Sequence, residues 1–290
     1  MAGIYQGAWT GPEIDEAIGR SSHISNRNLL DNWYFENPVN QRGNSSGQSQ
    51  GVFVGQGYTI DRWKNSLGGT IAVVSGGVNF GYALSSFGYN IIQQFFEKPS
   101  LIEGKTVTVS CVVDNLQFSK TGYIPSDNSY WDCGSTAGLV RVYKNRLEII
   151  QNNTTSVWKA IKLELGNAQS LAHQEQGNVV LNEIPDYGTE LTKCQRYYVP
   201  YAEGSLSGSL YGAQLLYFVV PVPVQMANNP TVGTLSVKYN GGDITSNYNQ
   251  TPAYTARPGH IFVQVSSGSS RSFGTAGAYG VSLQNISADL

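Results

Sequence analysis

From residue 58 onward the chain repeats one pattern. A short run rich in valine, isoleucine, threonine and aromatic residues is followed by a Gly, Pro or Asn break. Runs of that length and spacing predict β-strands. In the first half they fall at residues 58–63, 70–75, 78–84, 90–96, 106–114, 138–143, 147–151 and 158–165. Gly68-Gly69, Gly76-Gly77, Pro99-Ser100 and Lys144-Asn145 mark turns between them. The run TVTVSCVV at 106–113 has no polar face, as expected of a strand buried on both sides. Residues 158–165 alternate, placing Trp158, Ala160 and Ile161 toward a core and Lys159, Lys162 and Glu164 toward water. Later strands are expected at 195–201, 214–222, 231–239, 260–265 and 279–286. Alternate prolines in Pro221-Val-Pro-Val-Gln-Met226 point to an edge strand, and Asn240-Gly-Gly-Asp243 to a hairpin turn.

Ahead of these runs lies the stretch NLLDNWYFENPVNQRGNSSGQSQGVFVGQGYTIDRWK, residues 28–64. Its two ends, 28–35 and 58–63, read as the first strands of a sandwich, packed through Trp33, Phe35 and Trp63, with a polar loop over 40–57 between them. Trp158 joins those residues in the expected core. Residues 10–19 predict a two-turn helix: Thr10 caps it, Pro12 lies in its first turn and Gly19 ends it. Ile14, Ala17 and Ile18 share one face. Two turns do not hold alone, so this segment is expected to anchor the chain to a partner or to pack on its own body. Residues 114–137 read as one long loop, rich in aromatics, of a length usually reserved for function. Residues 166–193 read as a polar linker, with a helical turn over 186–193. The fold class that follows is all-β: a β-sandwich over 28–170, a linker over 171–193 and a second β-sandwich-like domain over 194–290, preceded by the anchor segment 1–27 with its short helix.

Composition narrows the function. Charged residues make up only 13 % of the chain, with 33 Gly and 18 Tyr, which suits sheet surfaces and polar loops. The net charge is −2 and no Lys/Arg run exists, so no nucleic-acid partner is expected. The longest apolar run, 215–220, is too short to enter a bilayer as a spanning helix, and the first twenty residues lack the marks of a secretory leader. The three cysteines, Cys111, Cys133 and Cys194, form no C-x-x-C or Cys/His cluster, which argues against a metal site. They suit a reducing cytoplasm, and the residues leave a Cys111–Cys133 bridge open.

Catalytic signatures are missing. His23, His173 and His260 are isolated. Gly47-Gln-Ser-Gln-Gly51 has the letters of a nucleophile elbow, but no apolar strand precedes it and no helix follows. No catalytic residue is assigned and no cofactor is expected. The carboxylate pairs that a glycosidase would need to bring together are Asp127 with Asp132, or Asp61 with Glu164. Binding has better support. Sugars present apolar C–H faces ringed by hydroxyls, which aromatic faces and Asp, Asn or Arg side chains recognise together. Two stretches have that composition: Tyr123, Asp127, Asn128, Tyr130 and Trp131 in the long loop, and Tyr239, Tyr248, Tyr254 and Arg257 in the second unit.

The motifs NLLDNWYFENPVNQRG and YTIDRW, then LIEGKTVTVS at 101–110, WKAIKLELG at 158–166 and YGTELTKCQRYY at 187–198, resemble in order and spacing the tail-fibre-type proteins of bacteriophages and prophages. The stretch VPVPVQM…NPTV at 220–232 resembles the end of many such proteins. The likeness covers residues 28–201 with these motifs. It implies a carbohydrate-binding-like jelly roll, a virion location after synthesis in the host cytoplasm and a bacterial surface glycan as ligand. It further implies a homotrimer, contact with other virion proteins through the N-terminal segment, and room for a structural Ca²⁺ in a loop. At 290 residues there is no long shaft, which favours a compact appended fibre. The alternatives are a purely structural virion protein and a glycan-cleaving enzyme.

Overall fold

The structure is a computed structural model and describes residues 27–42, 52–76, 81–87, 89–134, 139–152, 156–200, 206–211, 215–227, 230–233, 235–239, 242–243, 253–257, 259–266, 279–283 and 285–288. The expected helix over 10–19, with Ile14, Ala17 and Ile18, lies outside them.

The protein is all-β. Its first strands are β1 (Val52–Val54), β2 (Gly57–Tyr58), β3 (Lys64–Asn65), β4 (Thr70–Gly76), β5 (Gly81–Phe87), β6 (Tyr89–Phe95), β7 (Thr106–Val113), β8 (Leu116–Tyr123), β9 (Tyr130–Asp132), β10 (Leu139–Tyr143), β11 (Arg146–Asn152) and β12 (Trp158–Leu165). They form two six-stranded sheets, ordered β1-β4-β5-β12-β7-β8 and β2-β3-β6-β11-β10-β9. Every pair in them is antiparallel. One buried cluster joins the sheets: Val107, Val109, Cys111 and Leu163 from the first meet Ile92, Val140, Val142, Leu147 and Ile149 from the second. That shared core makes the pair a sandwich, with each buried aliphatic side chain contributing about 1.5–3 kcal/mol. The apolar strand β7 is buried along all but its first residue, as its composition requires.

The two ends of the 28–64 stretch do not form the regular strands expected of them. Residues 28–35 lie along β12, where Leu29 N donates to Leu163 O (2.8 Å), Ile161 N to Trp33 O (3.1 Å) and Phe35 N to Lys159 O (2.8 Å). The pairing breaks between, because Asn32 sits at φ 51°, and Tyr34 with Ala160 is an isolated bridge. Asn32 is instead a buried hub. Its side chain holds Val39 O, Asp61 O and Val39 N, and its carbonyl accepts from Trp63 Nε1 at 2.9 Å. Residues 60–63 turn rather than extend, with Arg62 at φ 72°. The packing expectation holds: Trp33, Phe35, Trp63 and Trp158 are all buried, and the rings of Phe35 and Trp63 meet edge-on at 5.3 Å.

The polar stretch 166–193 is no bare linker. β13 (Ala172–Glu175) and β14 (Asn178–Leu181) form a hairpin, and α1 (Tyr187–Gln195) follows, capped by Asp186, whose carboxylate accepts from Thr189 N. Leu171 and Ala172 belong to the sandwich core, and Val179 and Leu181 pack on it. This corrects the reading of Lys162 and Glu164 as wet. Both are fully buried. Lys162 Nζ bonds Ser170 Oγ at 3.0 Å, Ser170 bonds Glu164 through its amide and hydroxyl, and Glu183 lies 3.5 Å from the ammonium. The register slips between Trp158 and Ala160, so Ala160 shares its face with Lys162 and Glu164, and chain that follows later covers that face.

Beyond the helix run β15 (Tyr198–Pro200), β16 (Leu206–Tyr211), β17 (Leu215–Pro221), β18 (Thr231–Val232), β19 (Leu235–Tyr239), β20 (Gly242–Asp243), β21 (Ala253–Arg257), β22 (His260–Ser266), β23 (Tyr279–Leu283) and β24 (Asn285–Ser287). They make a three-stranded sheet, β15-β24-β18, and a seven-stranded one, β20-β19-β23-β16-β17-β22-β21. Alternate residues of β17 and β22, among them Leu216, Phe218, Ile261 and Val263, are buried. β17 lies between β16 and β22, so the proline-containing strand is interior and not at an edge. Pro221 is its last residue, where the ladder stops, and Pro223 falls beyond it. Tyr239 stands opposite Gly242, the register that a two-residue hairpin connection gives.

Candidate functional site

Residues 114–137 do not form one long loop. Asp114 and Asn115, at φ 48° and 62°, make a tight two-residue turn, and the chain returns as β8 beside β7. The chain then crosses from the edge of one sheet to the edge of the other over residues 124–129 and enters β9. Tyr123 and Tyr130 flank the crossing, exposed by 59 % and 44 %. Between them Ile124 is buried and anchors the path.

Strand alternation sorts the residues of β9. Trp131 points inward, packed against the sandwich core, and its indole lies against Gly122 of β8 so closely that a Cβ there would sit 2.0 Å from Cε2. It closes the seam between the two sheet edges and is not part of an open platform. Tyr130 and Asp132 take the opposite face. Asp127, expected to meet ligand, folds back on its own loop: its carboxylate accepts from Ser129 N (2.9 Å) and Ser129 Oγ (2.5 Å), which holds its pKa below the usual range. Asn128 is exposed beside it.

The register of the outer face gathers a group around Tyr130. Tyr143 on β10 pairs with Tyr130, and Arg141 lies between Asp132 and Glu148. The two tyrosine rings are 5.3 Å apart and tilted by 49°. Arg141 stacks over Tyr130 at 4.4 Å and Arg146 over Tyr143 at 3.8 Å. Arg146 Nε donates to Glu148 Oε1 at 2.7 Å. Partial burial raises the Tyr143 pKa, and the Glu148 carboxylate raises it further by charge and by accepting a hydrogen bond from the phenol. The result is an aromatic pair clamped by two guanidinium groups and one nearly buried carboxylate. Such a surface offers apolar faces, fixed donors and a fixed acceptor together. Of these five residues, residue types in sequence pointed only to Tyr130. The other four lie on β10 and β11 and are brought to Tyr130 by strand register, which residue types do not reveal.

Of the remaining expected ligand residues, three lie on strands of the second unit. Tyr239 lies on β19, opposite Tyr279, whereas Tyr254 and Arg257 lie on β21, opposite Val263 and His260. Those strands occupy opposite sides of the seven-stranded sheet. Tyr248 is outside the described residues.

The carboxylate pairs suggested for catalysis are each engaged elsewhere. Asp61 accepts from Gln41 N and faces Arg42, while Glu164 is held by Ser170. Asp127 bonds Ser129, and Asp132 accepts from Gly134 N. Among the described residues no group of three or more His, Cys, Asp or Glu side chains could hold a metal, and no helix is long and apolar enough to cross a membrane. The three cysteines are free and buried, so no Cys111–Cys133 bridge forms. No protein-family model matches the chain, and no curated protein or solved structure matches it.

Proposed function

We propose that the protein is a non-catalytic glycan-binding protein of the phage tail-fibre type, which recognises bacterial surface carbohydrate through the outer face of its sandwich. The observation that carries this reading is the exposed Tyr130, paired with Tyr143 and clamped by Arg141 and Arg146 beside Glu148. A pyranose C–H face stacks on a tyrosine ring, while neighbouring hydroxyls exchange hydrogen bonds with guanidinium N–H groups and a carboxylate oxygen. The two six-stranded antiparallel sheets with one core suit the jelly roll that the sequence resemblance implies. The carboxylate pairs named for cleavage, Asp127 with Asp132 and Asp61 with Glu164, are each held by other groups, which favours binding over cleavage. One such face binds weakly, and a homotrimer displayed in many copies on a virion multiplies it. In the same reading residues 1–27 attach the protein to other virion components.

The test is adhesion of the purified, labelled full chain to bacterial cells before and after periodate oxidation of their surface glycans, with the mass in solution measured by light scattering. The expected result is saturable binding that oxidation abolishes, from a trimer. Binding to no strain would instead assign the protein a structural place in the particle, and binding indifferent to oxidation would overturn the glycan as its ligand.

A further inference from the structure

Away from the tyrosine face, a cavity of about 630 Å³ opens where the sandwich meets the segment that follows α1. That volume falls within the range of small-molecule sites, about 300–1,000 Å³. Its apolar wall comprises Leu29, Phe96, Ile102, Leu101 and Leu165. Leu101 and Leu165 are exposed by 64 % and 49 %.

Four cations also line the cavity: Arg27, Arg62, Lys98 and Arg196. Two carboxylates accompany them, Asp31 and Glu97, and each is taken by one arginine. Arg62 Nε donates to Asp31 Oδ2 at 3.1 Å, and Arg196 grips Glu97 through both terminal nitrogens. The cavity therefore keeps two positive charges, those of the exposed Arg27 and Lys98, beside an apolar wall. The buried cation is fixed in place. Arg62 also donates to Phe95 O at 2.7 Å and stacks on Tyr197 at 3.5 Å. Its backbone adopts φ 72°, a left-handed conformation that is strained for a non-glycine residue and that collects at ligand sites.

We propose that this cavity binds a small amphiphilic anion: a carboxylate or phosphate head held by the excess positive charge, and an apolar body laid against Phe96, Ile102 and the rim leucines. The site is separate from the Tyr130 face and does not depend on the glycan reading.

The test is NMR titration of the isotope-labelled full chain with three probes: octanoate, inorganic phosphate and octyl glucoside. Octanoate is expected to saturate one site, with shifts centred on Leu29, Phe96 and Ile102. Phosphate, which lacks the apolar body, and octyl glucoside, which lacks the charge, are expected to bind at least about tenfold more weakly. Replacing both exposed cations, Arg27→Gln with Lys98→Gln, should weaken octanoate about tenfold while leaving the melting temperature unchanged. Failure of octanoate to saturate, shifts centred elsewhere, equal binding of octyl glucoside, or an unaffected double variant would each overturn the proposal.

Discussion

Single residues decide where the sandwich opens and where it is sealed. Trp131 lies on the bare backbone of Gly122. Gly122→Ala is therefore expected to destabilise the protein by about 1–3 kcal/mol, as overpacking does, measured by chemical denaturation. A variant as stable as the parent would mean that the indole is not seated there. The cysteines are sealed in the same sense. Burial raises the thiols of Cys111 and Cys133 to about 12 and raises that of Cys194 as well. In the native protein at neutral pH all three should react with a thiol reagent far more slowly than in denaturant; fast native labelling at any one of them would contradict its burial. Trp33, Phe35, Trp63 and Trp158 were legible as core residues because large aromatics in β-rich runs have few other places to go. Lys162 and Glu164 were not, because they are held by chain that follows β12, through Ser170 and Glu183 on either side of the β13–β14 hairpin. Residue type indicates which side of a strand is polar, but not what later lies across it.

At the scale of elements, strands with strong apolar patterning could be read directly. β4, β6, β7, β10, β11 and β12 lie within a residue or two of the expected runs. β8, β9, β13 and β14 were missed because they are short or half-exposed, with polar residues such as Gln117, Lys120 and Gln174 in strand positions. Their pairing comes from the neighbour and the turn. The turn at Asp114-Asn115 shows this, since both residues take positive φ and the Asn115 side chain accepts from Lys159 Nζ. Asn115→Val should cost about 1–2 kcal/mol from the left-handed backbone alone, whereas Asn115→Gly should cost less. Equal melting temperatures for the two variants would show that backbone conformation does not set this hairpin. The candidate site has the same origin. Tyr130 stood out by type, but its partners Tyr143, Arg141, Arg146 and Glu148 are joined to it only by the register of three strands.

Across the whole molecule, the sandwich and the segment after α1 are tied by polar contacts. Asn32 N donates to Glu190 Oε2 at 2.7 Å, Gln41 Nε2 to Tyr198 O at 3.1 Å, and Glu97 accepts from Arg196 and from Tyr197 Oη. Burial alone would raise the Glu97 carboxyl, but the hydrogen bonds from Arg196 and Tyr197 and the neighbouring positive charge outweigh it and hold the pKa below the usual range. A carboxyl depressed in the folded state stabilises fully above its unfolded pKa of about 4.3, and that contribution is lost as pH falls through the lower folded value. Glu97→Gln should thus melt below the parent at pH 6, with the gap closing as pH drops below about 4. A gap independent of pH would mean that the carboxylate charge is not what binds the two parts.

The most direct measurement for the function is a glycan array probed with the full chain beside Tyr130→Ala and Tyr143→Ala. Recognition through the clamped tyrosine face requires saturable binding to a defined set of bacterial glycans. Each variant should lose that binding while melting close to the parent, since Tyr130 is half exposed and both rings lie on an outer face. Glycan binding that survives both substitutions, or none at all from the folded parent, would contradict it.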